Sequence, residues 1–437
     1  LVPALGTLGA AVAVAVASVG RAGPRQEAGP AHARHRHRHG RGADPRAADA
    51  GLGRRDRPMI PASPPRAPSG GAITLGDAPE PEAWDALVAA SAAPHPHFSR
   101  HVIEAHRAAG LLPAALRYVT VREGGRLVAL LPYRTARDLS GLGGRILRPF
   151  LSPYVTATAP LIADGPDRAA HALALVAGLE AAAGGSAWRW PLLPTGEGAV
   201  PEMLAAMRAR GWAIGTVAGF DRPVMDRRAD HAAFLADHPD RARFKDLRRR
   251  ARRLAEAGTV AHACATAGAD LARLVTSFLD LERAGWKGRA GTAMACRPES
   301  AALARALFTA APGPVGVRAD ALTLDGRPVA VSLALVHGGT ATLLKTAYDE
   351  DLRSHAPGLL LEAEIVRACH ETAFADRLDS ATSEGSALEG LYRDRVPVAE
   401  IIAVPPGRQV IALERRLRLA RFERDARAAA RRALRRR

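Results

Sequence analysis

From residue 73 onward, apolar positions recur alternately at helical spacing and at the two-residue spacing of strands. The pattern predicts helices over 81–91 and 97–109, then strands over 116–124, 126–136 and 146–162. A helix at 167–183, a strand at 188–193, a helix at 201–210 and a strand at 211–218 follow. The second half runs through much the same order, with helices at 268–284 and 299–310 and strands at 315–325, 327–338 and 340–350. A helix at 358–373 and strands at 377–383 and 397–404 complete it. The central hairpins share letters at a fixed shift: Gly125, Arg126, Val128 and Ala129 correspond to Gly326, Arg327, Val329 and Ala330. The expected fold class is therefore α/β, with tandem units, each a mixed, mainly antiparallel sheet flanked by helices. Units at 73–235 and 236–410 are expected, with a basic C-terminal helix or tail at 411–437.

The formal charge of +17 changes this picture less than its size implies. Residues 1–58 hold ten Arg against four acids and residues 414–437 hold eleven against three, which leaves the middle at +3. Charge confined to the ends argues against specific DNA binding through a basic groove, while a weak anionic contact through the C-terminal tail fits. Residues 1–72, rich in Arg, Ala, Gly and Pro, read as a disordered leader, with translation expected to begin at Met59. Its alternating His35, His37 and His39 offer a metal-binding alternative. Cys264, Cys296 and Cys369 are odd in number and show no ligand spacing, so neither disulfides nor a metal site is expected, and a cytoplasmic location is. No continuous apolar run reaches bilayer length.

The chain has 61 basic residues, of which only Lys245, Lys287 and Lys345 are lysines. A position that keeps Lys in so Arg-rich a composition calls for a compact ammonium or a tunable pKa. Lys245 lies in a helical run, 241–258, with Phe244, Leu247, Ala251 and Leu254 on one stripe and Arg elsewhere. That face suits phosphates, an acidic acceptor or tRNA, or is a solvated helix face.

The run FLDLERAGWKGRAGTAMA at 278–295 and the run LLKTAYDEDLRSHAPGLLLEAEIVR at 343–367 resemble the GNAT acyltransferases. Within them the likeness is to the cellulose-biosynthesis-type (CelD-like) acetyltransferases, and the doubled element order is similar to the tandem arrangement of FemAB-like proteins. The resemblance implies an acyl-CoA co-substrate and an amine acceptor on a small molecule, glycan or peptide. It further implies direct transfer in a ternary complex, with the strand around Leu344 and Lys345 facing the pantetheine arm. The diphosphate loop of the family corresponds here to Arg353, Ser354, His355, Ala356, Pro357 and Gly358, followed by Leu359, with one glycine kept.

Acyl transfer needs a base for the amine and an acid for the leaving thiolate. Glu282, Asp349 and Glu384 are candidate bases, Tyr348 the candidate acid, and Lys287 sits in a loop at the expected rim. Trp286 and Lys245 are candidates for acceptor binding. Tyr154, Trp188 and Trp190 of the first half either line the acceptor cleft or serve as core aromatics. Two other readings stand beside acyl-CoA chemistry: a FemAB-like transferase using aminoacyl-tRNA, and a non-catalytic binding protein on a GNAT fold.

Overall fold

The computed structural model describes residues 71–383, 385–407 and 410–434. The first half comprises β1 (Ala72–Gly76), α1 (Pro81–Ala90), α2 (Arg100–Ala108), β2 (Arg117–Glu123), β3 (Arg126–Ala136), β4 (Ile146–Pro149) and β5 (Leu161–Ile162). It continues through α3 (Arg168–Ala183), β6 (Ala187–Pro194), α4 (Val200–Ala209) and β7 (Ala213–Asp226). Helices α5 (His231–Asp237) and α6 (Arg241–Ala255) lead to β8 (Val260–Ala265), α7 (Gly268–Ala284), α8 (Trp286–Arg289) and α9 (Pro298–Leu307). Then come β9 (Gly316–Leu324), β10 (Arg327–His337), β11 (Thr340–Tyr348), α10 (Pro357–Thr372), β12 (Arg377–Asp379), β13 (Asp394–Val404) and α11 (Val410–Leu434).

Local chemistry accounts for the repeated hairpins. Gly124 and Gly125 turn β2 into β3 with φ of 55° and 82°, and Asp325 and Gly326 turn β9 into β10 with 49° and 78°. Two consecutive positive φ values make the tight turn whose twist matches the flanking strands, which is why a glycine precedes Arg in both copies.

All strands join one sheet, in the order β1-β2-β3-β4-β6-β13-β7-β12-β11-β10-β9-β8, with β5 paired to β3. Its centre departs from two self-contained units. The last strand of the second half, β13, lies between β6 and β7, and the last strand of the first half, β7, pairs with β12. The halves have exchanged their final strands. This is why β7 runs to Asp226 instead of ending near 218: its far end, Val224–Asp226, serves the other half's β12.

Two further differences have physical causes. The expected strand at 146–162 breaks after Pro149, because Pro149, Pro153 and Pro160 have no N–H to give a ladder, and β5 resumes only at Leu161. Strands β1 and β8 lie at the two edges of the sheet, where exposure on much of their surface leaves too little apolar alternation to announce them. The C-terminal segment is a helix, α11, docked on β7 and β13 through Leu413, Leu417 and Ala420. Arg416 of α11 donates to the carbonyl of Ser140, and Glu423 accepts from the buried Arg189 at 2.5 Å.

The largest apolar cluster runs from α1–α4 and β2–β3 across to α7, α9 and one face of β10 and β11. A second fills the space between the other face of β10 and β11 and helices α5, α6 and α10. The calls on residues 1–70, including Met59 and the histidine tract, lie outside the described residues.

Candidate active site

Strand β11 opens on one side. It pairs with β12 in parallel only at Thr340–Thr342, while on its other side it follows β10 to Tyr348. A bulge at Leu344 interrupts that second pairing, the register passing from Leu333 opposite Lys345 to Ala334 opposite Leu343. Beyond Thr342, therefore, the β12-side edge of β11 has no strand against it among the described residues.

The chain then turns directly into a helix start. Asp349 caps a 3-10 turn over Glu350–His355, accepting from the amide of Asp351, and α10 begins at Pro357. Ala356 holds φ +53°, a conformation that costs a residue with a Cβ about 1–2 kcal/mol. No side chain caps α10; the amides of Leu359 and Leu360 both turn back to the carbonyl of Ala356. An uncapped first turn carries the positive end of the helix dipole, a setting that suits an anion. Helix α6 lies alongside, with Arg250 donating to the carbonyl of Ser354 at 2.5 Å.

On the opposite face, α7 and α8 bring charged groups over β11. Lys287 Nζ donates to Glu282 Oε1 at 2.9 Å, and the amide of Met294 donates to Glu282 Oε2 at 2.7 Å, all three buried. The carboxylate thus ties down the loop after α7. The glycines of the Gly-Trp-Lys-Gly string serve the same turn: a Cβ on Gly288 would stand 1.6 Å from the carbonyl oxygen of Arg283, and one on Gly285 2.8 Å from Glu350 Oε1. Glu350 Oε1 accepts from the amide of Trp286 at 2.6 Å, and its other oxygen from Arg289 at 2.5 Å.

Lys345 is buried on this face, with Tyr154 of the first half 5.1 Å from its Nζ to the ring centre. Burial, followed by the neighbouring Lys287 charge, pushes its ammonium down to about 8 against the weaker pull of Glu282. Burial raises the phenol of Tyr348, which remains protonated near neutrality. Tyr348, Thr346, Trp286, Lys287 and Glu350 line a shallow pocket at the end of β11.

The structure thus groups many of the residues picked from sequence and reassigns several. Lys287 is a buried ion-pair partner instead of a rim residue. Glu282 is engaged by Lys287 and Met294, and Asp349 by Arg327 at 2.9 Å and by its turn amide. Glu384 lies outside the described residues. Leu344 forms the bulge, Arg353 and Ser354 are exposed beside the helix start, and Pro357 is buried. Leu359 is half-buried against the core around α10. Gly358 packs on Tyr348, whose Cδ1 would stand 3.2 Å from a Cβ there. Trp286 is 37% exposed at the pocket, whereas Lys245 is exposed on α6. Trp188 and Trp190 stack at 5.2 Å, fully buried, their indole N–H groups donating to Leu179 and Thr158 carbonyls; they are core and line no cleft.

Two buried polar groups went unread. Glu362 of α10 accepts from Ser332 and Thr346 at 3.2 and 2.9 Å and from Tyr392 at 3.3 Å, and burial raises its carboxyl to about 7. His95, His97 and Arg222 meet between the halves. A single Glu in a helical stripe and a His-Pro-His string give no sequence signal that separates them from surface residues. Among the described residues, no group of three or more His, Cys, Asp or Glu is arranged to hold a metal ion, and no helix is long and apolar enough to cross a membrane.

Residues 241–383, from α6 to just past β12, match the family model described as an acetyltransferase (GNAT) domain. The match covers about a third of the chain and supports acyl transfer of the GNAT type for this part of it. No curated protein matches the sequence significantly. Solved structures that resemble the fold include FemX, at 11% identity and a TM-score of 0.46, covering 76% of this chain and 97% of that one. L-PGS from Bacillus licheniformis has 12% identity and a TM-score of 0.44, over 79% and 98% of the two chains. A tandem GNAT protein from the clavulanic acid biosynthesis pathway has 14% identity and a TM-score of 0.37, over 77% and 100%. Likenesses this faint carry no functional information.

Proposed function

We propose that the protein moves an acyl group, with acetyl as the simplest case, from acyl-CoA to an amine by direct attack within a ternary complex. The observation that carries this reading is the open edge of β11 running into the uncapped start of α10. The thioester arm lies along Leu343–Thr346, and the diphosphate meets the turn at Ala356–Leu359, with Arg353 and Ser354 beside it. Lys345, buried beside Tyr154 with its ammonium lowered to about 8, takes the proton of the attacking amine in place of the engaged carboxylates, while Glu362, at about 7, is taken up by Ser332, Thr346 and Tyr392. Tyr348 returns a proton to the leaving thiolate. The halves act as two GNAT-like units, the second binding the donor and the first closing the acceptor side through Tyr154.

Acetyl-CoA should raise the thermal unfolding temperature of the intact chain. Ser354→Glu, at an exposed position, places a negative charge at the diphosphate turn and should weaken acetyl-CoA by about tenfold, or about 1.4 kcal/mol. Equal protection of both proteins, or of neither, would contradict the reading.

One observation favours an aminoacyl-tRNA donor as a second reading. Helix α6 exposes Lys245, Arg248, Arg252 and Arg253, and its Arg250 donates to Ser354 in the diphosphate turn. A tRNA held there would bind with an affinity that falls steeply with salt, whereas acetyl-CoA should show a shallower dependence.

A further inference from the structure

The seam between the halves holds polar side chains that the chain itself does not satisfy. His95, His97, His337 and Thr342 are each at most 5% exposed. Both ring nitrogens of His95, Nδ1 of His97, Nε2 of His337 and Oγ1 of Thr342 have no hydrogen-bond partner among the described residues. An unpaired buried polar atom costs about 1–3 kcal/mol, so several at one seam are an expense without a structural return.

These groups adjoin the active site. Thr342 and Lys345 lie on the same face of β11, two positions apart once the bulge at Leu344 is counted, or about 7 Å. The opposite wall is the extended segment after β4, which places Tyr154 over Lys345 and, two residues on, brings Thr156 Oγ1 to within 2.8 Å of His97 Nε2. The rings of His95 and His97 are 5.1 Å apart, and Thr342 stands in register with Asp379.

Charge narrows the ligand. Arg222 is already matched by Asp379 at 3.4 Å and by the carbonyls of Thr156 and Thr382, and Arg377 by Glu197 and Asp226. Burial, then Arg222 and His337, pushes His95 down to about 3, and burial lowers His97 and His337 as well, so the imidazoles are neutral. A neutral imidazole and a hydroxyl each offer a donor and an acceptor, the complement of ligand hydroxyl groups. A carboxylate or phosphate requires donors and a positive charge, and the arginines are spoken for.

We propose that His95, His97, His337 and Thr342 form a subsite for an uncharged, hydroxyl-rich part of the acceptor, such as a sugar ring, with its amine directed toward Lys345. The assignment of the ligand as acceptor rests on the acyl-transfer reading; the binding itself does not.

The test is saturation-transfer NMR on the full chain without donor, using D-glucosamine and, as a ring amine without hydroxyls, cyclohexylamine. Glucosamine should bind the unaltered protein at tens of millimolar or tighter and cyclohexylamine should not. Thr342→Val and His95→Phe should each weaken glucosamine at least about tenfold. Thr342→Val replaces an unpaired hydroxyl by a methyl and should leave the unfolding temperature unchanged or higher, which keeps its binding result free of unfolding. Failure of glucosamine to bind, or equal binding by all three proteins, overturns the proposal and leaves a seam that holds water alone. Acetyl-CoA protection is measured on the same samples. Glucosamine binding lost in the variants without any protection by acetyl-CoA keeps the subsite and removes the acyl-CoA reading, whereas protection without the glucosamine pattern does the reverse.

Discussion

The two halves reach the same topological point and do different things with it. Each has one parallel strand pair, β4 with β6 and β11 with β12. In the first half the pair sets Leu147 beside Trp188, and Tyr133, Trp188 and Trp190 fill the space with stacked rings. The chain leaving β4 then wanders over 150–160 before α3. In the second half the corresponding residues are Arg377, Leu378 and Asp379, β11 continues beyond its partner, and a tight turn feeds α10 at once. One half has spent the opening on core packing, and its displaced segment supplies Tyr154 and Thr156 to the other half's site. On the acyl-transfer reading, one half holds the reaction centre and the other supplies part of its wall.

Breaking the aromatic fill should have the largest effect, and on stability alone. Trp188→Ala should cost about 3–5 kcal/mol in denaturant unfolding, while acetyl-CoA affinity of the remaining folded protein stays the same. A parallel loss of donor affinity would mean that the first half also binds donor.

Lysine 345 sharpens the comparison from the other side. With Lys345 as base, kcat/KM should rise with pH and level off above about 8, because the neutral amine form is the active one. Lys345→Arg, which stays charged, should lower kcat/KM about a hundredfold or more and abolish that rise. Tyr154→Ala, which opens the site to water from the first half, should cost only a few fold. It should also move the midpoint of the pH profile upward, since less burial returns the ammonium toward its ordinary value.

The smallest effect concerns Glu362. Its folded carboxyl titrates at about 7, above its unfolded value, so the native state holds the proton more tightly between those values. The stability this contributes is fully present at low pH and is lost as pH rises through about 7. Glu362→Gln, a neutral mimic of the protonated form, should flatten the dependence of Tm between pH 5 and 8 and equal or exceed the parent at pH 8.

What could be read from residues alone follows from where the information resides. The 3.6- and two-residue periodicities placed most helices and the interior strands within a few residues, because those elements bury a regular face. Lys287, Lys345 and the Gly-Trp-Lys-Gly string, picked for residue type, come together around β11, where the glycines make a tight turn and Lys287 pairs with Glu282. The strand exchange was hidden, since β7 and β13 look alike whichever sheet neighbour they take. The surroundings of the base candidates were hidden for a related reason: Glu282 and Asp349 are held by Lys287, Met294 and Arg327, partners that only folding supplies. Edge strands β1 and β8 and the neutral histidine seam escaped because exposure and burial of single polar residues leave no period.

Hydrogen exchange of the intact chain with and without acetyl-CoA addresses the contrast between the halves most directly. The account predicts slowed exchange across 343–360, where β11 opens and α10 starts, and no change across 146–168, the corresponding stretch of the first half. Protection confined to 146–168, or none in either stretch, would contradict it.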